Sequence, residues 1–90
     1  MSSTAKKHSS LVSEPLDRKM SEVLPGIGII LGQRLASKGF EKAYMVMGQY
    51  LVLGKDEAGF KRWLKEQCEA NNEQQYECHQ AIKQWCDSLM

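Results

Sequence analysis

Two glycines one residue apart, Gly26 and Gly28, stand in the run Leu24-Pro25-Gly26-Ile27-Gly28. Glycine allows a tight turn and leaves no side chain between the backbone and a ligand. If a helix begins here, its first amides lack intrahelical partners and the positive end of its dipole faces the turn. That arrangement receives an anion such as a phosphate. Ile27, between the glycines, is expected to point inward and pin the turn to the core. Leu31 and Leu35 follow at helical spacing, and Arg34, about two turns on, is placed to reach a neighbouring phosphate. Contacts of this kind bind a nucleic-acid backbone and carry no sequence information. A turn of the same composition also serves as a plain connector between two helices. It is not a Walker loop or a dinucleotide turn, because no Gly-Lys-Ser/Thr ending follows and no strand precedes it.

The other reactive side chains form no catalytic set. His8 lies in a polar segment, His79 on the last predicted helix, and no Ser, Cys or carboxylate is placed by spacing as a partner for either. Cys68, Cys78 and Cys86 are an odd number without a Cys-x-x-Cys pair, and Cys78-His79 lacks the paired spacing of a zinc site. No metal, cofactor or enzymatic activity is expected, and the thiols read as small buried apolar groups. Trp63 and Trp85 read as core residues, and Glu73 and Glu77, four apart, as a solvated helix face. Lys61, Arg62 and Lys65 form a basic patch.

Ninety residues allow about one domain, residues 1–90, with 1–6 as a flexible tail. The composition, 42% hydrophobic and 26% charged with 2 Pro, excludes disordered, collagenous and low-complexity chains. A formal net charge of +1 excludes a binder that works by bulk charge. The distribution is uneven: residues 1–45 carry seven basic and four acidic residues (+3), residues 46–90 five and seven (−2). An anionic partner is therefore sought on the N-terminal half. The first ten residues have no apolar core of a signal peptide, and no apolar stretch is long enough to cross a bilayer. A reducing nucleocytoplasmic compartment is expected.

The elements that must position the turn are helical. Residues 7–13 are expected to make two turns of helix, closed by Pro15, and residues 21–24 a short helix capped by Ser21. After the glycine turn, Ile27, Ile30, Leu31 and Leu35 predict a helix ended by Gly39, with Phe40 folding back on its last turn. Residues 43–53 are apolar on nearly every face, which predicts a helix that a second subunit helps to cover. Asp56 is expected to cap a helix carrying Phe60, Trp63, Leu64 and Gln67. Asn72 and Gln75 read as the capping box of a last helix that buries Cys78, Ile82, Trp85, Cys86 and Leu89. No segment alternates with period two, so the class is all-α: a compact five- to six-helix domain.

The run Leu-Pro-Gly-Ile-Gly-x-x-Leu-x-x-Arg-Leu-x-x-x-Gly-Phe is similar to the helix-hairpin-helix motif of DNA-binding proteins. The resemblance extends over the whole chain. Lys7-His8, Glu14-Pro15, Gly39-Phe40-x-Lys42-Ala43-Tyr44, Gly48-Gln49-Tyr50-Leu51-Val52-Leu53, Lys55-Asp56-Glu57, Trp63-Leu64-Lys65 and Trp85-Cys86-Asp87 together resemble the barrier-to-autointegration factor family. That resemblance implies a SAM-like helical fold and an obligate dimer, a homodimer or a heterodimer with another family member. Its two hairpins would bridge two duplexes. It also implies a nuclear protein of chromatin and nuclear envelope, present in the cytoplasm too. The implied partners are double-stranded DNA, LEM-domain proteins of the inner nuclear membrane and lamins, without direct membrane insertion. The family's DNA-contacting positions fall on Lys7, Gly26, Gly28, Ile30, Leu31 and Arg34; Lys6, Ile27, Asn71 and Asn72 complete the expected set. The expected dimer interface is Tyr44, Met47, Gly48, Tyr50, Leu51 and Val52, and the expected LEM groove Phe40, Val52, Lys61 and Lys65. The phosphorylatable hydroxyls of the family fall on Ser2, Ser3 and Thr4.

The chain also departs from the family pattern. Near the last helix, Asn72-Glu73-Gln74-Gln75-Tyr76 stands where the family usually has basic residues; Gly59 replaces an apolar residue, Gly54 a lysine, and Leu11 an aromatic. These changes bear on DNA affinity and on the groove, and they support a second reading: a protein-interaction module with weak DNA binding that pairs with an ordinary family member. A Gly26→Glu change is expected to abolish DNA binding with the fold intact.

Overall fold

A computed structural model describes residues 19–89, which form a short 3-10 turn at Ser21–Val23 and four helices. The helices are α1 (Gly28–Ser37), α2 (Ala43–Val52), α3 (Glu57–Cys68) and α4 (Asn72–Leu89). The all-α expectation stands. The helix expected at residues 7–13, the tail 1–6, and the expected sites at Ser2, Ser3, Thr4, Lys6 and Lys7 lie outside the described residues.

Local chemistry explains most of the boundaries. The end of α1 is a Schellman motif: Gly39, with φ 94°, donates its amide to Ala36 O at 3.0 Å, and Phe40 donates to Leu35 O at 2.8 Å. Phe40 folds back as expected, meeting the Trp63 ring edge-on at 4.8 Å between centroids. Asp56 caps α3, its Oδ2 accepting from the Gly59 amide at 2.7 Å. The Ser21 cap is a correction. Ser21 Oγ donates instead to Phe40 O at 2.5 Å, and the Ser21 amide to Glu41 O at 2.8 Å, so the serine is buried as a tie between two segments of the chain. The segment around Met20 thereby lies antiparallel to Lys42 in a single bridge.

The capping box is shifted by one residue. Asn71, not Asn72, is the cap: its amide donates to Gln74 Oε1 and its Oδ1 accepts from the Gln74 amide, both at 2.8 Å. Gln75, expected in the box, is instead buried with Nε2 donating to Ala70 O at 2.6 Å. On α3 the fourth buried position is Cys68 rather than Gln67, and Leu89, expected in the core, is exposed at the end of α4.

The core gathers Leu24, Ile27, Leu31 and Leu35 against Phe60, Trp63, Leu64, Ile82 and Trp85. All three cysteines are buried within it. Burial pushes the Cys68 thiol above its usual range, despite the opposing amide of Ala70 and charge of Arg34. His79 is a buried residue the apolar stripe did not include. It lies beside the rings of Tyr50 and Phe60, 5.7 and 6.2 Å away. α1 packs closely on the 3-10 turn because Gly32 has no side chain; a Cβ there would lie 2.7 Å from Glu22 Cβ.

Candidate functional site

The turn is built by its own sequence. The Ile27 amide donates to Leu24 O at 3.0 Å, closing a four-residue turn around Pro25 and Gly26. Proline second and a positive-φ glycine third is the type II pattern, and Gly26 has φ 82°. Gly28 follows at φ 69° and opens α1. Ile27 takes the cap position without a polar side chain, so no side-chain bond covers the first turn of α1. Those amides are left for solvent or a ligand. Ile27 itself is buried, as expected. Ile29 and Ile30 stand outward, 63% and 61% exposed, flanking the amides with two apolar side chains. Only Ile30 was expected there; Ile29 shares its place in the first helical turn.

The two expected glycine positions differ in their surroundings. A Cβ on Gly26 would lie 2.6 Å from Gln74 O and 3.1 Å from Glu77 Cβ, so this glycine is pressed against the first turns of α4. That contact brings the start of α4, with Asn71 and Asn72, beside the turn, but Asn71 spends its side chain on the cap. It also corrects the Gly26→Glu expectation: any side chain there collides with backbone, and the fold would not survive unchanged. A Cβ on Gly28 meets nothing within 4 Å.

Two further expected contact residues have side chains engaged within the fold. The Leu31 side chain is 5% exposed and belongs to the core, so only its backbone faces the site. Arg34 does not extend freely from α1: its Nη1 donates to Cys68 O at 3.1 Å and lies 3.4 Å from Glu69 Oε2. The guanidinium thus bridges α1 to the end of α3, a pairing that linear spacing does not reveal because 35 residues separate the partners.

Of the residues expected to form a dimer contact, Tyr44, Leu51 and Val52 are exposed on α2, Val52 at 78%. Met47 is half-buried, and a Cβ on Gly48 meets nothing within 4 Å. Tyr50 is the correction: it is buried inside its own subunit, edge-on to Phe60 at 5.3 Å, because the face of α2 that carries Ala43 and Val46 turns to the core. Desolvation, followed by the nearby Cys86, raises its hydroxyl pKa. Among the expected groove residues, Lys61 and Lys65 sit four apart on α3, while Phe40 is tied to Trp63. Lys61 is engaged, donating to Glu57 at 2.5 Å and lying 5.4 Å over the Tyr76 ring. That hydrogen bond is the main cause holding the Glu57 carboxyl below its usual range.

Among the described residues, no group of three His, Cys, Asp or Glu side chains could hold a metal ion, and no helix is long and apolar enough to cross a membrane.

The profile of the family described as barrier to autointegration factor matches residues 2–89. The chain is 52% identical to the barrier-to-autointegration factor of Danio rerio over 90 residues, all of both chains. It is 47% identical to the Drosophila melanogaster protein of that name, again over all of both chains. Against the Homo sapiens protein of that name the identity is 46% over 87 residues, covering 97% of this chain and 98% of the other.

Proposed function

This chain belongs to the barrier-to-autointegration factor family, and from that premise we propose that it binds double-stranded DNA, without regard to sequence, at the turn of residues 24–28. The observation that carries the reading is the uncapped first turn of α1 behind Gly26 and Gly28, open where a Cβ on Gly28 meets nothing. Backbone amides and the helix dipole there suit a phosphate oxygen. Ile29 and Ile30 would lie along the groove edge, and Arg34 would take an adjacent phosphate. No enzymatic step is part of this function.

The protein acts as a dimer in this reading. Tyr44, Gly48, Leu51 and Val52 follow helical spacing on the outer side of α2, and burying one Leu- or Val-sized side chain contributes about 1.5–3 kcal/mol. A two-fold contact there presents two turns and lets one dimer hold two duplexes in chromatin. By its family membership, the chain's place is the nucleus, with LEM-domain proteins and lamins as further partners at a groove including Phe40, Val52, Lys61 and Lys65. Phosphates on Ser2, Ser3 or Thr4, beside Lys6 and Lys7, would repel DNA.

The test is Gly28→Glu. The position is open, so the fold persists at a backbone strain of about 1–3 kcal/mol, while a carboxylate lies among the amides. The circular dichroism of a helical protein with DNA binding lost supports the site. A folded variant with unchanged DNA affinity removes the turn from the account.

A further inference from the structure

We propose that Glu69 sets the strength of DNA binding by competing with phosphate for Arg34. This inference rests on the DNA-binding reading above and adds a residue that limits it. Arg34 is the only basic residue within α1, and its Nη1 is 3.4 Å from Glu69 Oε2. The same nitrogen donates to Cys68 O, so the carboxylate and the carbonyl hold the guanidinium over the end of α3. A phosphate bound beside α1 must draw Arg34 away from this carboxylate or share it. Either way the net charge that Arg34 offers is offset before DNA arrives.

The backbone at Glu69 points the same way. The residue ends α3 with φ 62° and ψ 34°, in the left-handed region where glycine fits without a Cβ penalty. Its amide closes the helix on Lys65 O at 3.0 Å, a backbone bond that glycine would make equally well. The glutamate side chain therefore contributes nothing to the helix end that glycine would not, and what it adds is the charge beside Arg34. Both side chains are largely open to solvent, 46% and 78% exposed. An ion pair so placed is weak, so it moderates the contact and does not abolish it. Glu69 is thus a positioning residue acting through Arg34.

The experiment measures duplex affinity against salt for four full-length proteins: unmodified, Glu69→Gln, Arg34→Gln and the double variant. Glutamine keeps the size and backbone demands of position 69, and circular dichroism checks that each variant folds. Freed from Glu69, Arg34 should tighten DNA binding about 1.5- to 5-fold at low salt. The slope of log K against log salt should steepen by up to about 0.9, one phosphate contact. In the Arg34→Gln background, Glu69→Gln should change neither quantity. An equal gain in both backgrounds overturns the competition, because Glu69 would then act only through its general field. Unchanged affinity in Glu69→Gln, with the unmodified protein still binding DNA, overturns this inference alone. Failure of all four proteins to bind DNA overturns the DNA reading and this inference with it.

Discussion

His79 shows how one side chain ties stability to pH. It is buried against Tyr50 and Phe60, and its Nδ1 finds no hydrogen-bond partner among the described residues. Burial holds its pKa below the usual histidine value, outweighing the opposing charge of Glu57. The unfolded chain then binds a proton that the folded chain refuses. Stability is fully present above the unfolded pKa, about 6.5, and is lost as pH falls from there toward the folded value. The melting temperature should therefore drop between about pH 7.5 and about pH 5.5, and His79→Phe should flatten that drop. An equal drop in His79→Phe would assign the sensitivity to other groups. At the same scale, the two glycines of the turn separate by surroundings that no motif records. Gly26 faces the Gln74 carbonyl and Gly28 faces open space, so Gly26→Ala should cost stability as well as binding, whereas Gly28→Glu tests binding with the packing undisturbed.

Elements were legible in the sequence wherever a local rule decides them. The Gly39-Phe40 helix end, the Asp56 cap and the inward Ile27 each depend on neighbours within a few residues, and each forms as those residues imply. The misplaced features depend on distant partners or on near-equivalent neighbours. Asn71 and Asn72 offer the same cap chemistry; Asn71 takes the role with Gln74, while Gln75 is buried with its amide on Ala70 O. The Ser21 hydroxyl is drawn from the capping role by a carbonyl 19 residues away. Two stability predictions belong here. Asn71→Ala removes the cap of α4 and should cost about 1 kcal/mol, read as a fall of about 4–8 °C in melting temperature for a domain of this size. Gly32→Ala should also destabilise, although alanine favours helix by about 1 kcal/mol, because its Cβ would press on the Glu22 backbone at 2.9 Å. Retained or increased thermal stability in Gly32→Ala would contradict the close packing of α1 on the 3-10 turn.

The whole molecule joins one turn that suits phosphate to one apolar stripe that suits a second subunit. On α2 the core takes Ala43, Val46 and Tyr50 and leaves Tyr44, Leu51 and Val52 outward. The sequence showed an apolar helix but not this division, since which face turns inward is set by the helices around it. Gly48 lies open within its own subunit, so Gly48→Glu should fold as a less stable monomer that sediments at half the mass and no longer cross-links DNA. A dimer of Gly48→Glu would place the contact elsewhere. The claim on which everything else depends is that the unmodified protein grips the DNA backbone. Titrating it with duplexes of unrelated sequence across a range of salt concentrations tests this most directly. Nearly equal affinities are expected for all of them, falling linearly in log K against log salt by about 0.9 for each phosphate engaged. Affinity that is insensitive to salt, or no binding at low salt, would contradict it.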